Sequence, residues 1–336
     1  MQLRKLSAAV AAALIVPGFI PQATAQGLVL EEVIVTAKKR TQSLQDVPIS
    51  VAAMSGEKIN DTGILSLQEL TLYVPNVTIN VGAGTPNLYI RGIGSGTNAG
   101  FEQSVGMYID GVYSGRGALA AVPLTMDLER VEILKGPQGI LFGKNTIAGA
   151  INITTAKPTD EFEGLVEGLW APEDGEQQYN LTLSGPLTDS LSGRLAVRYD
   201  SMDGWWDNTT LGTEGPDNEN VYARGSLRWD ATDTLEIHAK YEYGDFDRDN
   251  GPTVVYQSDF AGQENFAGTV PFPEISDRDK GASDLVTEND TRTDVFALTL
   301  NWVLDFATFT SISAYSGYDL TRVQNTDVTA TPGIHR

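Results

Sequence analysis

The chain has 336 residues, with 44 acidic against 23 basic side chains, a formal charge of −21, two histidines and no cysteine. Those counts exclude disulfides, thiolate metal sites and thiol nucleophiles, and the acidic balance argues against nucleic acid, whose phosphates need a basic face. With no histidine–carboxylate cluster, nothing in the chain points to an enzyme, a metal or a cofactor.

Arg4 and Lys5 precede an apolar run from Leu6 to Ile20 that ends in Ala23-Thr24-Ala25, so residues 1–25 read as a secretory signal peptide. No later apolar run could form a membrane helix, which leaves a β-barrel open, because its strands alternate lipid-facing and lumen-facing residues. Residues 26–40 carry the β-branched segment Leu30 to Ala37 followed by Lys38, Lys39 and Arg40. A strand there is either poised to join the sheet edge of another protein or an ordinary edge strand of the first domain.

Residues 41–160 break into short strand-like pieces: Val47 to Ala53, Val77 to Val81, Leu88 to Gly92, Met107 to Tyr113, Arg130 to Leu134 and Ala150 to Thr155. Asp110-Gly111 sits between apolar runs and predicts a tight hairpin, because a type I′ turn needs positive φ. Ser66-Leu67-Gln68-Glu69 is a capping box opening a short helix with Leu67, Leu70 and Val74 on one face. A compact α+β domain follows. Gly139 to Thr146 imitates a phosphate loop, but its spacing is one residue short and Asn145 replaces the required hydroxyl.

From residue 161 to 336 the character changes. All five tryptophans lie here, at 170, 205, 206, 229 and 302, with long alternating segments such as Leu195, Val197 and Tyr199 against Arg194, Arg198 and Asp200. The turns at Pro186 to Ser190, at Asp230 to Thr234 and around Asp305 are tight. The connections at Ala171 to Glu176, Ser201 to Glu219 and Gly244 to Arg292 are longer. Short turns on one side and long loops on the other fit an outer-membrane barrel better than a soluble sandwich, with Trp170, Trp205, Trp206, Trp229, Tyr241 and Tyr243 in an aromatic girdle. Asp245 to Gly251 imitates a calcium loop, but its glycine is one position late and Tyr256 takes the place of the bidentate glutamate.

Several spaced runs together resemble the N-terminal part of the TonB-dependent outer-membrane receptors. They include Glu31-Glu32-Val33-Ile34-Val35-Thr36-Ala37, Val74-Pro75-Asn76-Val77, Ile90-Arg91-Gly92, Tyr108-Ile109-Asp110-Gly111-Val112-Tyr113, Leu128 to Gly139 and Leu141 to Ile153. The resemblance implies an α+β plug domain followed by a partial antiparallel transmembrane β-barrel, about seven of an expected ~22 strands, in a fragment of a longer protein. It implies that Glu31, Glu32, Val33, Ile34, Val35 and Thr36 bind the TonB complex of the inner membrane. Arg91, Glu129, Arg130 and Glu132 are then expected to hold the plug against barrel residues such as Arg194, Arg198, Arg224 and Arg228. Other expected partners are outer-membrane lipid and a small-molecule or oligosaccharide ligand: a siderophore-like iron chelate, cobalamin or a glycan. A passive pore or adhesin and a non-transporting periplasmic plug fragment are the alternatives.

Overall fold

The computed structural model describes residues 34–35, 42–43, 48–64, 66–80, 87–96, 102–115, 126–209, 211–249, 280–281 and 287–323. The expected signal peptide lies outside them. At the start, β1 (Ile34–Val35) pairs antiparallel with β2 (Gln42–Ser43) through two residue pairs.

Next come β3 (Ser50–Ser55), α1 (Gly56–Asp61), α2 (Leu67–Leu72), β4 (Val77–Asn80), β5 (Asn87–Ile90), β6 (Ile93–Gly94), β7 (Val105–Ile109), β8 (Val112–Ser114), β9 (Leu128–Lys135), α3 (Gly139–Phe142) and β10 (Gly149–Thr155). Ser66 caps α2 as its box predicts, its Oγ accepting from the Glu69 N–H at 3.2 Å. The helix α1 has no apolar period to announce it, and only Ile59 supplies a large buried side chain. Its signal is the cap, with the Ser55 Oγ accepting from the Lys58 N–H at 3.3 Å.

A five-stranded sheet in the order β3-β9-β10-β7-β8 organises this domain, with β10 parallel to β7 and antiparallel to β9. Ile59, Leu70, Ile90, Met107, Ile133, Ile151 and Ile153 are fully buried around it. Each contributes roughly 1.5–3 kcal/mol of burial, enough for an independent core. The Asp110-Gly111 turn forms as predicted, with φ of 49° and 80°.

The remaining long strands are β11 (Glu163–Ala171), β12 (Glu176–Thr188), β13 (Leu191–Met202), β16 (Asp217–Thr232), β17 (Leu235–Asp249), β19 (Glu288–Val303) and β20 (Thr308–Val323). They pair antiparallel, each with the next, in one seven-stranded sheet, open among the described residues with β11 and β20 at its edges. Between them, β14 (Trp206–Asn208), β15 (Thr213–Gly215) and β18 (Lys280–Gly281) make a small separate sheet. Turns of two, two and four residues (189–190, 233–234 and 304–307) close one end of the large sheet. At the other end the first connection, 172–175, is also short, while the two that follow are long.

One expectation fails here. Trp206 is not in the girdle: it sits in β14, paired with Gly215, and is only 1% exposed. The strands also run farther than the apolar alternation suggests, because hydrogen-bonded pairing continues through polar residues such as Asn218 to Asn220 after the lipid-facing requirement has ended.

Parity separates the two faces. Arg194, Arg198, Arg224, Arg228, His238, Lys240 and Glu242 turn inward, whereas Leu195, Leu227, Trp229, Tyr241, Phe296 and Trp302 stand exposed on the outer face. A polar lumen and an apolar exterior reverse the arrangement of a water-soluble sandwich.

Candidate plug–barrel interface

The tip of the β7–β8 hairpin reaches the barrel wall. The Asp110 carboxylate accepts from the Thr155 N–H (2.9 Å) and hydroxyl (2.7 Å), so β10 fixes its direction. Opposite stands Lys240, 3% exposed, whose Nζ lies 2.5 Å from Asp110 Oδ2 and 3.1 Å from Glu242 Oε1. Burial pushes the Asp110 carboxyl up, yet Lys240 and the two Thr155 donors overcome it and hold the group at about 2, below its ordinary 3.8. Next to it, Gly111 lies against Ile312 of β20.

A second anchor stands at the start of β9. Arg194 grips the Asp127 carboxylate in a bidentate fork, with Nε at 2.9 and 3.1 Å and a terminal nitrogen at 2.5 Å. Arg224 donates to the Met126 and Asp127 carbonyls (3.3 and 3.1 Å), to the Tyr222 hydroxyl (2.9 Å) and to Glu242 (2.7 Å). Glu242 thus joins both anchors, since it faces Lys240 on one side and Arg224 on the other. The Met126 side chain packs among Ala196, Tyr222 and Phe246, adding an apolar contact across the seam.

Asp110 and Asp127 share one backbone property: both are non-glycine residues with positive φ, at 49° and 54°. Aspartate tolerates that left-handed conformation better than most residues, and here it turns two carboxylates out of the plug sheet toward the wall.

The connection between the domains provides a third point of attachment. Arg228 pairs with Asp160 and donates to the Pro158 carbonyl at 2.9 Å, while Lys157 lies 3.5 Å from Glu236.

Of the expected barrel arginines, Arg194, Arg224 and Arg228 face the plug, and the acids they meet there are Asp127 and Asp160. Arg130 pairs with Glu129 and with Glu132 (2.9 Å), and the fully buried Glu132 accepts from Asn152 at 3.1 Å, all within the plug. The Arg91 N–H donates to the Asn76 carbonyl at 2.8 Å, also within the plug. Arg198 pairs with Asp200 on its own strand. Asp110 was visible in the sequence as a turn residue; no sequence signal joined it to Lys240. Of the expected TonB-binding residues, Ile34 and Val35 form β1, while Glu31, Glu32, Val33 and Thr36 lie outside the described residues.

Comparison with known proteins gives this geometry a family. Residues 43–150 match the model of the TonB-dependent Receptor Plug Domain. The chain is 29% identical over 202 residues to the vitamin B12 transporter BtuB of Vibrio vulnificus, covering 57% of this chain and 32% of that protein. It is 30% identical over 174 residues to the iron-regulated outer membrane virulence protein of Vibrio cholerae, covering 48% and 26%. The ferric yersiniabactin uptake receptor FyuA from Yersinia pestis shares the fold, with a TM-score of 0.67 at 22% identity over 83% of this chain and 42% of that one. The chain spans about a third of the length of the curated relatives it matches. The plug sheet, residues 43–150, belongs to the TonB-dependent receptor plug family, and the sheet that follows it shares the fold of such receptors.

Proposed function

We propose that this protein imports a scarce or bulky ligand through the outer membrane, energised by contact with the TonB complex. The carrying observation is the charged seam: Asp110 and Asp127 tie the plug to inward-facing cations of three adjacent strands, β13, β16 and β17. A plug held this way blocks the lumen at rest and can be released without unfolding the wall, because ion pairs and side-chain hydrogen bonds separate before strand ladders do.

The outer membrane holds no nucleotide pool and no useful ion gradient, so energy must arrive by contact. Residues 31–36 offer the handle, a strand that adds to the edge of a partner's sheet and loads several main-chain hydrogen bonds together. The two-pair ladder between β1 and β2 supports this reading, since so short a pairing is exchanged at little cost. Arg91 and the group Glu129, Arg130 and Glu132 belong to the plug's side of the same seal, and the latter three stand on β9, which begins one residue after Asp127.

Analogy supports a ligand of the siderophore-iron, cobalamin or glycan kind, since relatives are named for vitamin B12 and for iron regulation. Deleting residues 31–36 tests the coupling. Ligand binding to cells is expected to persist while accumulation stops; undiminished accumulation would establish a passive pore instead.

A further inference from the structure

Three adjacent strands of the wall carry polar atoms that the docked plug covers and does not answer. Asn220 and Ser226 on β16, His238 on β17 and Thr291 on β19 are 6%, 5%, 8% and 1% exposed. Their Asn220 Oδ1, Ser226 Oγ, His238 Nε2 and Thr291 Oγ1 atoms are buried and have no hydrogen-bond partner among the described residues. A polar atom buried without a partner weakens the state that contains it, and folded proteins leave few of them.

Register explains why they go unmet. Asn220 and Thr291 both stand opposite Phe246, which clusters with Met126 of the plug and offers neither donor nor acceptor. The Asn220 amide nitrogen donates to Asp200 (2.6 Å) and Asn218 (3.1 Å), which leaves its carbonyl oxygen over. Ser226 stands opposite Lys240, whose ammonium is taken by Asp110 and Glu242. His238 stands opposite Arg228, which turns away to Asp160 and the Pro158 carbonyl.

The four positions descend one strip of the inner face. Asn220 is eight residues along β16 from Arg228, the partner of His238, and a strand tilted by ~45° drops roughly 19 Å over that length. The strip begins toward the long connections and ends toward the short turns. Plug and linker lie against it at Phe246, at Lys240 and at Arg228, so it faces open lumen only when the plug has moved.

We propose that this strip is a hydrogen-bonding lane for cargo, used while the plug is displaced, and that it suits a molecule carrying many hydroxyl groups. The Asn220 oxygen only accepts, so a passing group must be able to donate. The Ser226 and Thr291 hydroxyls donate or accept, and an imidazole nitrogen does one or the other. A hydroxyl meets all four, whereas an ether oxygen meets no acceptor. Single uncharged contacts spaced along the wall stand in for the water that the cargo sheds, and each is weak enough to let go. Displacement of the plug also relieves the four unmet atoms together, so the lane favours its own opening. The inference deepens the import reading and rests on it for the direction of travel, not on energy from TonB.

The test records single-receptor currents in planar bilayers, with the receptor purified from outer membranes and held in enough denaturant that a dye on Ser114→Cys reports the plug released. Maltohexaose, rich in hydroxyls, is compared with a polyethylene glycol of equal mass, whose chain of ether oxygens accepts but does not donate. Sugar blockades are expected to last about tenfold longer than those of the glycol, and Ser226→Ala combined with Thr291→Val to shorten them about threefold. Ser313→Ala, on the outer face of β20 opposite Leu298, is expected to leave them unchanged. The combined variant is also expected to need more denaturant for plug release, because it removes two unmet atoms from the docked state. Sugar blockades equal to those of the glycol, or unshortened in the combined variant, would overturn the lane. A lower release midpoint in that variant would overturn it too, by showing that the hydroxyls hold the plug through bridging water. The recordings need no energy source, so deletion of residues 31–36 reads the import reading separately.

Discussion

Lys240→Met removes the ammonium at the centre of the seam while keeping most of the side chain's apolar volume. In the native protein, Asp110 is held at about 2 against an ordinary 3.8, even though burial pushes it the other way. That net lowering of a little under two units corresponds to about 2 kcal/mol of preference for the docked, charged carboxylate, and Lys240 is the largest of the groups that produce it. The full loss is larger, because the variant leaves a buried carboxylate with only the Thr155 donors; breaking one partner of a buried pair typically costs ~3–5 kcal/mol. Since the chain has no cysteine, a single dye-labelled cysteine in place of Ser114, at the end of β8, can report plug release in proteoliposomes as denaturant is raised. Lys240→Met is expected to lower the release midpoint without altering the barrel's own unfolding. Combined with Asp110→Asn in a double-mutant cycle, it should show a coupling of about 2 kcal/mol. A coupling indistinguishable from zero would refute the claim that these two groups hold the plug through their charges.

The same pair sets an acid limit. Because the docked Asp110 titrates below its free value, its stabilisation is complete above pH ~4 and disappears as pH falls toward ~2; dye-reported release at pH 3 should exceed that at pH 6, and Lys240→Met should abolish the difference. Asp127→Asn keeps the left-handed backbone but leaves the buried Arg194 fork without its counter-charge, so cells carrying it should become sensitive to antibiotics too large for porins, with a plug destabilised by roughly 3 kcal/mol. Gly111→Val should weaken docking by at least ~1–3 kcal/mol, since φ is +80° and an added Cβ would sit 2.7 Å from Ile312 Cδ1; hydrogen exchange at β7 and β8 would reveal it.

Much of this architecture is local and therefore legible in the residues. The box at Ser66, the turn at Asp110-Gly111 and the two-residue period from Leu195 to Tyr199 each depend on neighbours a few positions away. The seam does not. Asp110 meets Lys240 because β10 aims the hairpin and the curvature of the sheet brings the inner face of β17 beneath it, a juxtaposition 130 residues apart in the chain. Glu129 and Glu132 were the acids expected at the barrel arginines; Asp127, which Arg194 grips, has a left-handed backbone that no motif records. Trp206 was misplaced for a related reason: an aromatic next to a strand end reads as a membrane anchor unless the small sheet that buries it is known.

The Asp127 and Asp110 carboxylates also decide what kind of conduit remains when the plug departs. Arg194, Arg224 and Lys240 would then face water from adjoining strands, sharing Glu242 and deprived of the two aspartates that balanced them. This part of the wall would then carry a local positive surplus, and a charge of that sign draws negative solutes toward it.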